Sequence, residues 1–276
     1  MLGWRFVQDK RFLPDVPRNL ASRRKRNLPV IIGSMRDEYA SFLFGMIDGG
    51  MVQMQSIGRS FWKNQLRLLL GRRTEEQLAT VQKVLEDNYA PEGTQERDWE
   101  EWMRIISDAV TGGGFISPIQ EDIRDHLRNG NRDIYVYEMS RQSQLMRTST
   151  IGEWKPVVHS ADIPYLQANP HLWEPSMRNG SATYADTAIL EWMAQTWTDF
   201  AKTGSPSSFW WKASNSEGAI PYLEIGDEKM AMKESYRPKD EYVWSVLVSQ
   251  YLGVLPPQRP DFNNGSVYDE FYLSIT

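Results

Sequence analysis

The run Leu28-Pro-Val-Ile-Ile-Gly33 constrains this fold more than any other stretch of the chain. Three β-branched residues bounded by Pro and Gly are too few for a helix and apolar on both alternating faces. That is the pattern of a strand covered on both sides in a parallel sheet. Asp133-Ile-Tyr-Val-Tyr-Glu138 repeats it with β-branched and aromatic residues, which favour the half-buried pleated surface. The polar segment Ser34-Met-Arg-Asp-Glu38 follows the first run at once. In open α/β sheets, ligand-binding and catalytic groups sit just past the carboxyl ends of strands. Glu38 stands in that place after the first run, and His159 lies downstream of the second.

Between and after these runs the sequence is helical. Thr74-Glu-Glu-Gln77 has the form of a capping box ahead of Leu78, Val81, Val84 and Leu85. Trp99, Trp102, Met103, Ile106 and Val110 make another apolar face, and Thr111-Gly-Gly-Gly114 reads as its stop. Phe115, Ile119, Ile123 and Leu127 mark a third helix ending at Asn129-Gly130. From Asp186, read as an N-cap, to Thr203 the stripe Ile189, Trp192, Met193, Trp197 and Phe200 predicts the clearest helix. Short strands at Tyr222-Leu223 and Lys229 to Met232, and a helix from Asp240 to Tyr251, complete the pattern. The chain reads as α/β, with few sheet strands and several packed helices. No linker forces a boundary within 1–253, and 254–276, without a period, reads as a loosely packed tail.

Composition removes several classes of function. A net charge of -5 over 276 residues lacks the surplus of Lys and Arg that a nucleic-acid footprint needs. No run approaches the ~18 apolar residues of a membrane segment, and the first residues lack the apolar stretch of a signal peptide. With no cysteine there are no disulfides, thiolate metal sites or Cys nucleophiles. Three dispersed histidines argue against zinc, and no cofactor is expected. His126 and His171 read as structural, and Arg23-Arg-Lys-Arg26 as a solvated connector. Asn179-Gly-Ser181 and Asn264-Gly-Ser266 fit the glycosylation acceptor pattern, which has meaning only in a secreted protein.

An acid after one strand and a histidine after a later one form two-thirds of a nucleophile, acid and base relay. Phe12-Leu-Pro-Asp15, the Leu28–Gly33 run, Arg36-Asp-Glu38 with Phe42-Leu43, and Trp197-Thr-Asp-Phe-Ala-Lys-Thr-Gly-Ser-Pro206 carry a resemblance. So does Tyr236-Arg-Pro with Glu241-Tyr-Val-Trp244. Over nearly its whole length the chain resembles the C-terminal half of type-B carboxylesterases, the cholinesterase-like α/β-hydrolases. The resemblance implies the C-terminal portion of an α/β-hydrolase fold with the N-terminal half of the sheet missing. It places Glu38 on the triad acid and His159 on the base, with Trp154 and Phe42 as candidates for the substrate pocket.

The chain departs from the family at Tyr39 and Ser160, where glycines are usual. The positions of a common family disulfide fall on Ser117 and on Tyr242 or a near neighbour. No serine stands in a Gly-x-Ser-x-Gly frame: Gly58-Arg-Ser60 is followed by Phe61 and Trp62. The expectation is a C-terminal part of a carboxylic-ester hydrolase that supplies acid and base but lacks nucleophile and oxyanion loop, and is inactive alone. An ester is its substrate only once an N-terminal half completes it; while the central strands lie on a missing segment, Val30-Ile31-Ile32 presents an unpaired edge suited to self-association. The alternative is a non-catalytic cholinesterase-like adhesion or interaction domain, which a substituted serine upstream would mark. Localisation is left open, because an address would lie on the missing part.

Overall fold

The computed structural model describes residues 8–15, 19–20, 27–71, 73–143, 145, 150–213, 218–227 and 229–252. The basic run at 23–26, Asn264 and the 254–276 tail lie outside them. The chain divides into two compact units. One is built from the chain between Arg24 and Phe44 together with Ile119–Tyr236; the other contains Gly45–Pro118 and the chain from Arg237.

The first unit holds the sheet, ordered β1-β2-β3-β4. β1 (Val30–Met35) and β2 (Ile134–Met139) run parallel, with Val30 opposite Ile134 and Met35 opposite Met139. β3 (Tyr222–Ile225) pairs parallel to the end of β2, and β4 (Met230–Lys233) turns back antiparallel on β3. Every residue of β2 is buried, as a central parallel strand requires. In β1 only Ser34 and Met35 are buried, because β1 is the outer strand and no strand pairs its other edge among the described residues. The expectation of burial on both faces therefore holds for β2 and only for the end of β1.

Gly33 lies opposite Tyr137, and the tyrosine ring occupies the space where a side chain at 33 would stand: a Cβ there would be 2.0 Å from Tyr137 Cε1. Against β2 pack Trp210, Trp197 and Phe200, with ring centroids 5.5–6.3 Å from Tyr135 or Tyr137. The helix Tyr184–Thr203 contributes Ile189 and Met193 to this core and ends at Gly204, which is left-handed (φ 75). Its N-cap is Thr183, not Asp186. Asp186 is the third residue of a reciprocal capping box: it receives the Thr183 backbone N–H, while its own N–H goes to the Thr183 hydroxyl. The other Asp186 oxygen accepts from Tyr165 Oη (2.8 Å) and Arg141 (3.2 Å), which keeps this buried carboxylate charged and fully bonded.

In the second unit the capping box at Thr74 and Gln77 forms as expected, opening the helix Glu75–Tyr89. The triple glycine does not stop its helix. Trp99–Thr111 continues through a π-helical turn, Gly112–Ile116, into Ser117–Arg128. The glycines serve close approach instead: a Cβ on Gly113 would stand 2.5 Å from Trp244 Cε2. Trp244 belongs to the terminal helix, which starts at Pro238 rather than Asp240 and is π-helical over Glu241–Val248. Asp240 is held by Tyr89 Oη and Arg237 Nε, both at 2.6 Å. The partner of Ser117 is Ser245, with hydroxyls 3.1 Å apart, whereas Tyr242 is exposed.

Candidate active site

β1 ends at Met35, and the chain turns so tightly that Glu38 Oε1 accepts the Met35 N–H at 2.8 Å. That bond fixes the carboxylate, which is buried, and leaves Oε2 2.6 Å from His159 Nδ1. Glu38 and His159, 121 residues apart in sequence, meet within the sheet unit. An ionised carboxylate only accepts, so the shared proton belongs on Nδ1 and Nε2 is the basic nitrogen. The imidazole is 47% exposed while the Glu38 side chain is 6% exposed: one partner is anchored and the other reaches the surface. The bond from Glu38 raises the His159 pKa above its ordinary value, against the opposing pull of burial and with help from the charges of Glu38 and Asp162.

His159 sits at the corner of a turn in which Ala161 N–H bonds to Val158 C=O, and Ser160, the next corner residue, is left-handed (φ 67). This is where a type II turn wants glycine, so the serine is accepted at a conformational cost. Further on, Asp162 receives the Tyr137 hydroxyl proton at 2.6 Å. Burial, chiefly, and the Asp162 charge hold that phenol well above its usual pKa, so it remains a donor.

Of the two aromatic candidates, Phe42 is 43% exposed and its ring lies 5.9 Å from that of His159, stacked on Tyr39 at 5.6 Å. Burial pushes the Tyr39 phenol up to about 12. Trp154 is buried, stacked on Phe44, with its indole N–H directed at Asp37 Oδ1 (3.4 Å). Asn179 ends the helix Pro170–Arg178 on an exposed turn, its Oδ1 accepting the Ser181 N–H.

Sequence reasoning passed over Asp37. It is 3% exposed, accepts from Arg36 Nε (2.9 Å) and the Val157 N–H (2.8 Å), and its own N–H goes to Val157 C=O (2.9 Å). The one signal in Arg36-Asp-Glu38 was the adjacent arginine: carboxylates are almost never fully buried unless paired, and Arg36 is a ready partner for one. No group of three or more His, Asp or Glu suited to a metal is found among the described residues. No helix there is long and apolar enough to cross a membrane.

A mixed sheet, parallel over β1 to β3, with a carboxylate and an imidazole paired past its strand ends is the layout of the α/β-hydrolase class, here as a partial fold. The chain belongs to the carboxylesterase family, whose model matches residues 1–244. It is 24% identical over 260 residues to the medium-chain fatty acyl-CoA hydrolase precursor of Anas platyrhynchos, covering 87% of this chain and 41% of the relative. It is 26% identical over 174 residues to the bile salt-activated lipase of Homo sapiens, covering 59% of this chain and 22% of the relative. The chain thus spans less than half the length of these relatives.

Proposed function

We propose that this chain is the acid-and-base portion of a serine carboxylic-ester hydrolase. Glu38 is the acid that orients and stabilises the imidazolium, and His159 is the general base that takes the proton of a serine the chain itself does not carry. The observation that supports this most is the 2.6 Å contact between Glu38 Oε2 and His159 Nδ1, made by an anchored carboxylate and a half-exposed ring. Phe42, exposed beside the imidazole, is assigned to the wall against which the ester lies. Trp154 belongs near that wall through its hold on Asp37.

Without a Gly-x-Ser-x-Gly frame no acyl-enzyme forms. Each missing oxyanion donor forgoes a further ~2.7–4 kcal/mol of transition-state stabilisation. Incubated with a fluorophosphonate probe or a nitrophenyl ester, the chain is expected neither to be labelled nor to turn over above background. Stoichiometric labelling of any serine overturns the claim that the nucleophile lies elsewhere. A Gly-x-Ser-x-Gly frame encoded upstream of Met1 would support the enzyme reading, and a substituted serine there would defeat it.

The outer edge of β1 is the proposed surface for self-association when no further strand covers it. Concentration-dependent sedimentation tests this, and a monomer at all concentrations refutes it. Asn179 is proposed as a glycan acceptor on passage through a secretory compartment; a mass unchanged after secretion would exclude it.

A further inference from the structure

We propose that Asp37 is a positioning residue that sets the meeting of His159 with Glu38 by fastening the segment before the histidine to the end of β1. The inference rests on the reading of Glu38 and His159 as an acid–base pair. Three consecutive residues after β1 grip alternate residues of that segment. Arg36 Nη2 donates to Lys155 C=O (2.6 Å), Asp37 exchanges bonds with Val157 through its N–H (2.9 Å) and its Oδ2 (2.8 Å), and Glu38 reaches His159 (2.6 Å). This is one register, 36 with 155, 37 with 157 and 38 with 159, so a slip at its middle is felt at its end.

Asp37 is the middle member and the most enclosed. Oδ2 takes the Arg36 Nε and Val157 protons, and Oδ1 faces the Trp154 indole N–H. Arg36, anchored also to Ser140 C=O (3.2 Å), compensates its charge. Glu38 meets the ring only at the end of this register, and the turn after the histidine contains the left-handed Ser160. The groups facing His159 include the carboxylates of Glu38 and Asp162 and the ring of Phe42. Asp37 therefore acts on the imidazole through backbone geometry.

The test is nitrogen-15 NMR of the histidines in the full chain, comparing wild type, Asp37→Ala, Asp37→Asn and Glu38→Gln. In the wild type, a far-downfield Nδ1 proton on His159 should exchange slowly with water. In Asp37→Ala it is expected to exchange at least tenfold faster and the His159 pKa to fall toward its ordinary value, while the amide spectrum of β2 is retained. Asp37→Asn keeps an oxygen for the Val157 N–H and should fall between the two, which also gives a readout if the alanine variant does not fold. Unchanged exchange and titration in a folded Asp37→Ala or Asp37→Asn chain overturns the proposal. Unchanged behaviour in Glu38→Gln defeats the acid–base pairing instead, so the two failures are separable.

Discussion

Gly33→Ala is a one-carbon change whose cost can be worked from neighbours alone. Gly33 does not have a positive φ, so alanine meets no backbone strain there. What it meets is the Tyr137 ring, with Cε1, Cζ and Cδ1 at 2.0, 2.1 and 2.4 Å from the new Cβ. The ring cannot tilt aside without leaving its packing on Trp197 and the 2.6 Å bond from its hydroxyl to Asp162. Overpacking a core costs about 1–3 kcal/mol, and losing the bond to a buried carboxylate about 1–3 kcal/mol more. Replacing glycine within a strand returns roughly 0.5–1 kcal/mol. The net loss is therefore about 1–5 kcal/mol, whose middle is a large part of the stability of an ordinary domain. Urea unfolding followed by tryptophan fluorescence should show the midpoint fall by roughly 1 M at unchanged slope. Tyr137→Leu removes the clashing ring, so adding Gly33→Ala to that variant should cost nothing further or stabilise it. A neutral Gly33→Ala, or a cost that persists in the Tyr137→Leu background, refutes the reasoning.

Other expectations follow from single contacts. Because the His159 pKa is raised in the folded chain, its contribution is fully present below the unfolded value near 6.5 and fades as pH rises through the folded value. Thermal melts across that window should show wild type losing stability relative to Glu38→Gln, by a small amount for a half-exposed ring. Asp186→Ala takes the buried carboxylate from Arg141 and unties Tyr165 and Thr183, and should cost about 3–5 kcal/mol by denaturant unfolding. Ser160→Gly relieves left-handed strain and should be neutral to stabilising by up to ~1 kcal/mol, whereas Ser160→Val should destabilise by more than ~1 kcal/mol in the same assay. A stabilising valine would contradict the turn.

The fold was legible wherever a segment's own pattern settles its state. β2 and the long helix ending at Gly204 were legible because a buried β-branched and aromatic run, or an apolar stripe with a glycine stop, admits few other readings. The triple glycine was misread for a reason outside its segment: its lack of side chains answers to Trp244, far along the chain, and no local rule contains that tryptophan. Asp186 was misplaced by one helical turn because Thr and Asp both suit an N-cap; the choice is made by which oxygen reaches which N–H. The partial burial of the first β1 residues likewise depends on what pairs with the strand's outer edge, which the strand's own text does not state.

For the site, pattern gave positions and the fold gave distance. An acid after β1 and a histidine after β2 are statements about strand ends, and parallel strands in register bring those ends together: Met35 opposite Met139 places both following loops at the same end of the sheet. Arg36 beside Asp37 hinted at a paired carboxylate, but the hold that matters was not legible, because Asp37 grips backbone atoms of Val157 and backbone N–H and C=O groups are the same in every sequence. The same holds for Ser160, which reads as a small polar residue until its φ is known. Side chains that act on other side chains leave a trace in residue type, as Glu38 and His159 do. Side chains that act on backbone leave a trace only in geometry, so the positioning groups of a site built on loops after parallel strands have to be sought among the buried polar residues one or two places from its charged ones.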